Sequence, residues 1–291
     1  MINKLVLGTV QLGLNYGINN LQGRPSLDSS FNILRTAYNN GITIIDTAEA
    51  YGISQEVIGK FQQKNPSIQF EIITKLAANC IVPKGELLDH ISNNCKILSA
   101  NRLHGYMFHN YDNFKKNINL YDEILSARKD GIIEKAGISL YTNNEIEDII
   151  SNYDGFDFIQ IPFNLLDNQY KRKTLLEKAK NKGIEIHTRS VFLQGLFFKK
   201  TEDLSDYLKP LTPYLKLLNN IKEKSSVSIE ALALQYALQK EYVDHVLIGV
   251  ESEEQLINNI KICKEKLSIP NDEIDLINVK EEEMLNPSNW T

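Results

Sequence analysis

Eight short runs of apolar, mostly β-branched residues recur along the chain, separated by longer stretches of helical or irregular character. The runs are Leu5–Gly8, Thr43–Thr47, Phe70–Lys75, Leu103–His109, Lys135–Ser139, Phe158–Pro162, Ile184–Arg189 and His245–Gly249. Short continuous apolar runs suit strands buried on both faces, and such strands are joined in parallel by helices. Helical patterns occupy Ser29–Asn39, Glu56–Gln63, Gly85–Ser99, Leu120–Asp130, Glu145–Ser151, Lys173–Lys182 and Glu254–Glu265. The first carries a capping signal at Asp28-Ser29-Ser30 ahead of Phe31, Ile33, Leu34 and Ala37. Gly41, Gly131 and Gly183 each stand between a helical pattern and a strand, where a left-handed residue ends a helix. The alternation predicts an α/β fold, a (β/α)8 TIM-type barrel forming a single domain over residues 1–291. An open Rossmann sheet is the alternative, but no GxGxxG follows the first run. The longest irregular insert, Phe197–Leu211, follows the seventh run and is expected to overhang the active face.

Composition narrows the function. Hydrophobic residues at 42% and charged residues at 24% describe a folded chain rather than a disordered one. A net charge of −5 and a pI of about 5.7 give no general attraction for nucleic acid or an anionic membrane. Cys80, Cys95 and Cys263 show no CxxC spacing, so neither a disulfide framework nor a zinc site is expected. No HxH occurs, which disfavours a metal-dependent hydrolase, and no metal is expected. The first residues lack the apolar core of a signal peptide, and no run approaches the ~18 apolar residues of a membrane span. The expected location is the cytoplasm.

In a barrel the C-terminal ends of the strands converge on one pocket. The second run ends in Asp46 and leads to Tyr51, the third ends in Lys75, and the fourth ends in His109. Together these four make a proton-donating unit for carbonyl reduction. Hydride addition to a carbonyl leaves an alkoxide that needs a proton, and a phenol near pKa ~10 is a weak donor at neutral pH. A neighbouring Lys75 cation is expected to pull the Tyr51 pKa down, with Asp46 holding the ammonium in place. His109 is expected to orient the carbonyl and donate to its oxygen.

Asp46-Thr47-Ala48, followed by Tyr51-Gly52 and Ile58-Gly59, resembles the signature of the aldo-keto reductases around their catalytic aspartate and tyrosine. Lys75 and His109 fall at the matching later strand ends, and the resemblance runs from Leu7 to Asn259. It implies a (β/α)8 barrel, a small-molecule carbonyl substrate and NADPH as cofactor, with NADH as the alternative. It also implies cofactor contacts at Gly8 and Thr9 on the first strand, at Asp46, and at Ser139 and Gln160 for the carboxamide. Leu140 stands where an asparagine is common. At the seventh strand, Arg189 replaces the tyrosine that many members stack on nicotinamide, and its planar guanidinium either stacks there or meets an anionic substrate. Ser190 and Gly195 suit a pyrophosphate loop. Gly249 through Asn259 resembles the adenosine-binding segment, with Ser252 as the cap of the following helix. Gly249 and Gln255 stand where many members place Lys and Arg against a 2′-phosphate, and Glu251, Glu253 and Glu254 make the segment acidic. Discrimination between NADPH and NADH is therefore expected to be small. A cofactor-binding barrel without turnover is the competing reading. Substrate walls are expected from Asn15, Tyr16, Tyr111, Asp112, Tyr141, Phe163, Asn164, Asp167, Phe192 and Trp290, a mixed lining suited to a sugar-like carbonyl.

Overall fold

The computed structural model describes residues 1–20 and 22–290. Eight parallel strands close into a barrel in sequence order: β1 (Leu5–Gly8), β2 (Ile44–Asp46), β3 (Glu71–Leu76), β4 (Leu103–Phe108), β5 (Ile133–Ser139), β6 (Phe158–Pro162), β7 (Glu185–Arg189) and β8 (His245–Gly249). Each pairs with its neighbours, and β8 returns to β1 through Leu5↔Val246 to Gly8↔Gly249. All eight expected strands are present, with bounds differing by one or two residues.

The helices are α1 (Val10–Gly13), α2 (Leu27–Asn39), α3 (Ser54–Lys64), α4 (Leu87–Leu98), α5 (Tyr111–Lys116), α6 (Tyr121–Lys129), α7 (Asn143–Asn152), α8 (Gln169–Asn181), α9 (Thr212–Ser225), α10 (Ile229–Leu238), α11 (Glu253–Lys264) and α12 (Asn271–Asp275). Their apolar faces and the outward faces of the strands form the main core, in which Ile33, Phe61, Leu87, Phe114, Leu176 and Leu234 are fully enclosed. Gly41, Gly131 and Gly183 all take positive φ after their helices, as expected. Ser26, and not the Asp28-Ser29-Ser30 group, caps α2, its hydroxyl accepting from the Ser29 amide. The helix simply begins one residue before Asp28.

Side chains alternate across a strand, so each β-run sends every second residue into the barrel. Val6, Ile44, Ile73, Met107, Phe158 and Leu247 form a separate apolar cluster there. The Phe158 ring fits because Gly137 is bare: a Cβ on Gly137 would lie 2.3 Å from it. His187 stacks on the other side of Phe158 at 4.6 Å. This layer plugs the barrel interior below the C-terminal rim.

Candidate active site

Two residues further along each inward face, directly above the plug, stand Gly8, Asp46, Lys75, His109, Ser139, Gln160, Arg189 and Gly249. They are one residue per strand, in barrel order, and all line a single cavity of about 520 Å³. Thr9, Tyr51, Ser190, Gly195, Gln255 and Asn259 line it as well. Strand period thus delivers the expected set to one place.

Tyr51 reaches the cavity from the segment between β2 and α3, which lies unusually close to α1. A methyl on Gly13 would sit 1.8 Å from the Tyr51 carbonyl oxygen, and Gly52 turns away at φ +55° with the Gly13 carbonyl 2.5 Å from where its own Cβ would be. Only glycine fits at either position. Glu49 ties the same segment to β3. One carboxylate oxygen accepts from the Ala77 amide at 3.0 Å, while the other meets His90, Asn94 and Tyr106 at 2.9, 2.9 and 3.0 Å. Burial pulls the Glu49 pKa up, but the hydrogen bonds from His90 and Ala77 outweigh it and hold the carboxyl below its usual range. The same contact raises the His90 pKa.

Lys75 and Asp46 form a buried ion pair, with Lys75 also donating to the Thr47 carbonyl at 3.0 Å. The second Asp46 oxygen accepts from Gln160 at 2.8 Å. Gln160 is therefore held by Asp46 while lining the cavity. The Lys75 ammonium lies over the Tyr51 ring, 5.0 Å from its centroid. The expected lowering of the Tyr51 pKa by Lys75 is not borne out. Burial and the Asp46 charge raise that phenol well above its ordinary value, and the cation that opposes them is Arg189. The reason is neutralisation: Asp46 cancels the ammonium at close range. His109 packs edge-on to Tyr51, ring centroids 5.7 Å apart. Burial, then the Lys75 and Arg189 charges, lower its pKa to about 3, so the imidazole is neutral at ordinary pH.

Loops one and seven meet across the mouth. The Ile18 amide donates to the Gln194 carbonyl at 3.1 Å, and the Gln194 amide donates to the Tyr16 hydroxyl at 2.8 Å. Burial pushes Tyr16 up to about 12. Ser190, Leu193 and Gln194 all take positive φ in this loop, a conformation that non-glycine residues adopt only under constraint. At the far end Ser252 caps α11 by accepting from the Gln255 amide at 3.3 Å. It does not line the cavity, because its hydroxyl is spent on the helix. Gln255 folds back to accept from the Glu251 amide at 2.8 Å, and Glu253 accepts from Thr36 at 2.6 Å.

Several expected walls lie elsewhere. Tyr111 and Asp112 belong to α5, and the Tyr111 hydroxyl donates to Asp148 at 2.8 Å. Phe163 stacks on Tyr236 inside the core, and Asn164 accepts from the amides of its own turn. Asp167 binds the buried Arg172, which in turn donates to the Tyr141 carbonyl. Asn15 accepts from the Arg24 amide, and Trp290 donates to the Met284 carbonyl. Tyr16, Tyr141 and Phe192 do line the cavity, joined by Gln11 and Phe198. Gln11 was not singled out by sequence. Its amide packs where a Gly249 Cβ would be, 2.5 Å away, and its carbonyl oxygen is buried without a partner. Its place in Gly8-Thr9-Val10-Gln11, one helical turn past a strand end, was the available signal.

A closed parallel barrel with ionisable groups gathered at one rim defines an enzyme-like class, and the sequence comparison gives the family. The pattern of the Aldo/keto reductase family matches residues 4–282, and the chain belongs to that family. Membership makes it an oxidoreductase of the kind that typically uses a nicotinamide cofactor. Among characterised relatives it is 24% identical to the aldo-keto reductase YhdN of Bacillus subtilis, covering 87% of this chain and 83% of that one. It is also 24% identical to an L-glyceraldehyde 3-phosphate reductase of Escherichia coli, covering 88% and 84%. The fold is similar to the holo form of the aldo-keto reductase AKR11C1 of Bacillus halodurans, with a TM-score of 0.74, 18% identity, and coverage of 96% and 94%. Among the described residues no helix is long and apolar enough to cross a membrane.

Proposed function

We propose that the chain reduces a small-molecule carbonyl with NADPH or NADH, Tyr51 giving the proton. The observation that carries this reading is the convergence of Tyr51, His109 and the Asp46–Lys75 pair on one cavity floor. A bound nicotinamide dinucleotide supplies the hydride. The cradle suits such a group: Gly8 leaves the wall bare, Gln11 presents a buried polar atom without a partner, and the N-terminal turn of α11 opens nearby. Thr9, Ser139, Gln160, Ser190, Gly195, Gln255 and Asn259 complete the cradle, with Ser252 acting through the helix cap.

With its pKa raised, Tyr51 keeps its proton across the working range. An alkoxide forming against it is more basic than a phenolate, so transfer runs downhill. Neutral His109 donates a hydrogen bond to the same oxygen and orients it. The Asp46–Lys75 pair keeps a fixed dipole beneath the phenol without lending it a net charge. Replacing Tyr51 by Phe removes the donor and nothing else. Turnover, followed as cofactor absorbance against a carbonyl panel, is expected to fall ~10²-fold or more, with cofactor affinity nearly unchanged. A normal rate in Tyr51→Phe removes Tyr51 from the role.

The aromatic and amide lining, Tyr16, Tyr141, Gln11 and Gln194, supports a polyhydroxylated, sugar-like carbonyl as substrate. The lack of a lysine or arginine from Gly249 to Asn259 supports weak discrimination between the two cofactors.

A further inference from the structure

Among the described residues, Arg189 is the one cation lining the cavity whose charge no carboxylate answers. Its guanidinium lies over the Tyr141 ring, the central carbon 4.1 Å from the ring centroid. One amino group donates to the Ser190 hydroxyl at 3.3 Å, while the other is buried with no partner at all. No ion pair involves it among the described residues. Arg172 shows what this chain does with a buried guanidinium that has only a structural task. Asp167 takes it through two bonds of 2.8 and 2.7 Å, and Asn143 and the Tyr141 carbonyl satisfy the remainder. A buried charge without a counter-ion is costly, and a buried donor without an acceptor adds to that cost. Arg189 is half-buried, and its enclosed amino group bears the second cost inside the cavity that holds Tyr51.

We infer that Arg189 binds a carboxylate carried by the carbonyl substrate. The inference rests on the reductase reading above and names the substrate class for that site. A guanidinium edge and a carboxylate match as two parallel hydrogen bonds, and the Tyr141 face fixes the plane in which they form. Charge selects a monoanion. Lys75 and Arg189 are the cationic side chains on the lining, and Lys75 is already neutralised by Asp46. Glu230 and Glu251 add negative charge to the same walls. One free positive charge answers a carboxylate, whereas a phosphate monoester dianion would meet a deficit. The position is held firmly, because Arg172 grips the Tyr141 backbone from behind. A hydroxylated aldehyde or keto acid therefore fits better than a neutral sugar.

The cofactor's own phosphates offer the same oxyanion chemistry, so the test separates the two sources. Protein saturated with NADPH is titrated calorimetrically with gluconate and with sorbitol, neither of which has a carbonyl to reduce. Wild type is expected to bind gluconate at least tenfold more tightly, Arg189→Gln to lose that preference, and Arg189→Lys to keep part of it. In turnover, glucuronate against glucose and succinic semialdehyde against butanal are expected to show the same preference in wild type and its loss in Arg189→Gln. Melting curves of both variants confirm folding, and Arg189→Lys carries the test if Arg189→Gln does not fold. Equal binding of gluconate and sorbitol by wild type overturns the inference. So does an Arg189→Gln protein that keeps the preference while binding NADPH tenfold more weakly, since the guanidinium would then serve the cofactor. Carbonyl reduction without preference for acids leaves the reductase reading standing and this one refuted. Gluconate binding that depends on Arg189, without reduction of any carbonyl, does the reverse.

Discussion

Replacing Lys75 by Met separates the stability role of the Asp46–Lys75 pair from its chemistry. Both side chains are almost wholly enclosed, at 1% and 3% exposure. Removing the ammonium strands a carboxylate whose remaining partner is Gln160 at 2.8 Å. Breaking a buried pair on one side costs about 3–5 kcal/mol. For 291 residues at about 2.1 cal/mol/K each, the unfolding entropy is about 0.6 kcal/mol/K. The expected loss of melting temperature is therefore about 5–8 °C. Asp46→Asn should cost a comparable amount by stranding the ammonium. The double variant Asp46→Asn/Lys75→Met removes both charges and should melt well above the sum of the single losses, because no charge is left unpaired. None of the three is expected to reduce carbonyls at the wild-type rate. The assay is a thermal melt of four proteins, alongside turnover. Strictly additive losses, or single variants that melt within a degree of wild type, would refute the coupled pair.

Three further perturbations address other parts of the site. Gly13→Ala places a methyl 1.8 Å from the Tyr51 carbonyl oxygen and must displace that segment, so stability should fall by about 1–3 kcal/mol and turnover with it; unchanged turnover counts against a fixed Tyr51. His109 is held neutral to about pH 3, so the unfolded chain takes up the proton first as pH falls below ~6.5, and stability declines with acid; His109→Phe should flatten the fall in melting temperature between pH 7 and pH 5, and an unaltered slope would contradict the burial argument. Gln255→Arg adds a cation at the α11 end and should tighten NADPH over NADH, which wild type should distinguish by no more than about tenfold; fluorescence titration of both cofactors decides.

The barrel and its rim were readable because both follow from period two. Once Leu5–Gly8 and its seven counterparts are strands, the inward residues near their C-terminal ends follow, and those residues line the cavity. What escaped depends on contacts between distant segments. Glu49 looks like one more acid beside Asp46 until Ala77, His90, Asn94 and Tyr106 arrive from three other elements. The helix α10 went unnoticed because Ala231 to Leu238 are buried on every side, leaving no apolar stripe against a polar one. Burial also hid the fate of Phe163 and Asp167: between β6 and α8, the one feeds the core and the other the Arg172 lock. The effect of Lys75 on Tyr51 was misjudged although Asp46 was read as its partner, because sequence shows neither how deeply the phenol is buried nor how closely the carboxylate neutralises the ammonium.

Phe158 and the apolar side chains around it seal the barrel from below, which makes the cavity a cul-de-sac closed at its inner end. A corridor would let two molecules arrive from opposite ends in either order. A dead end imposes a queue: of two reactants that must both touch its innermost wall, the one seated deeper goes in first and comes out last.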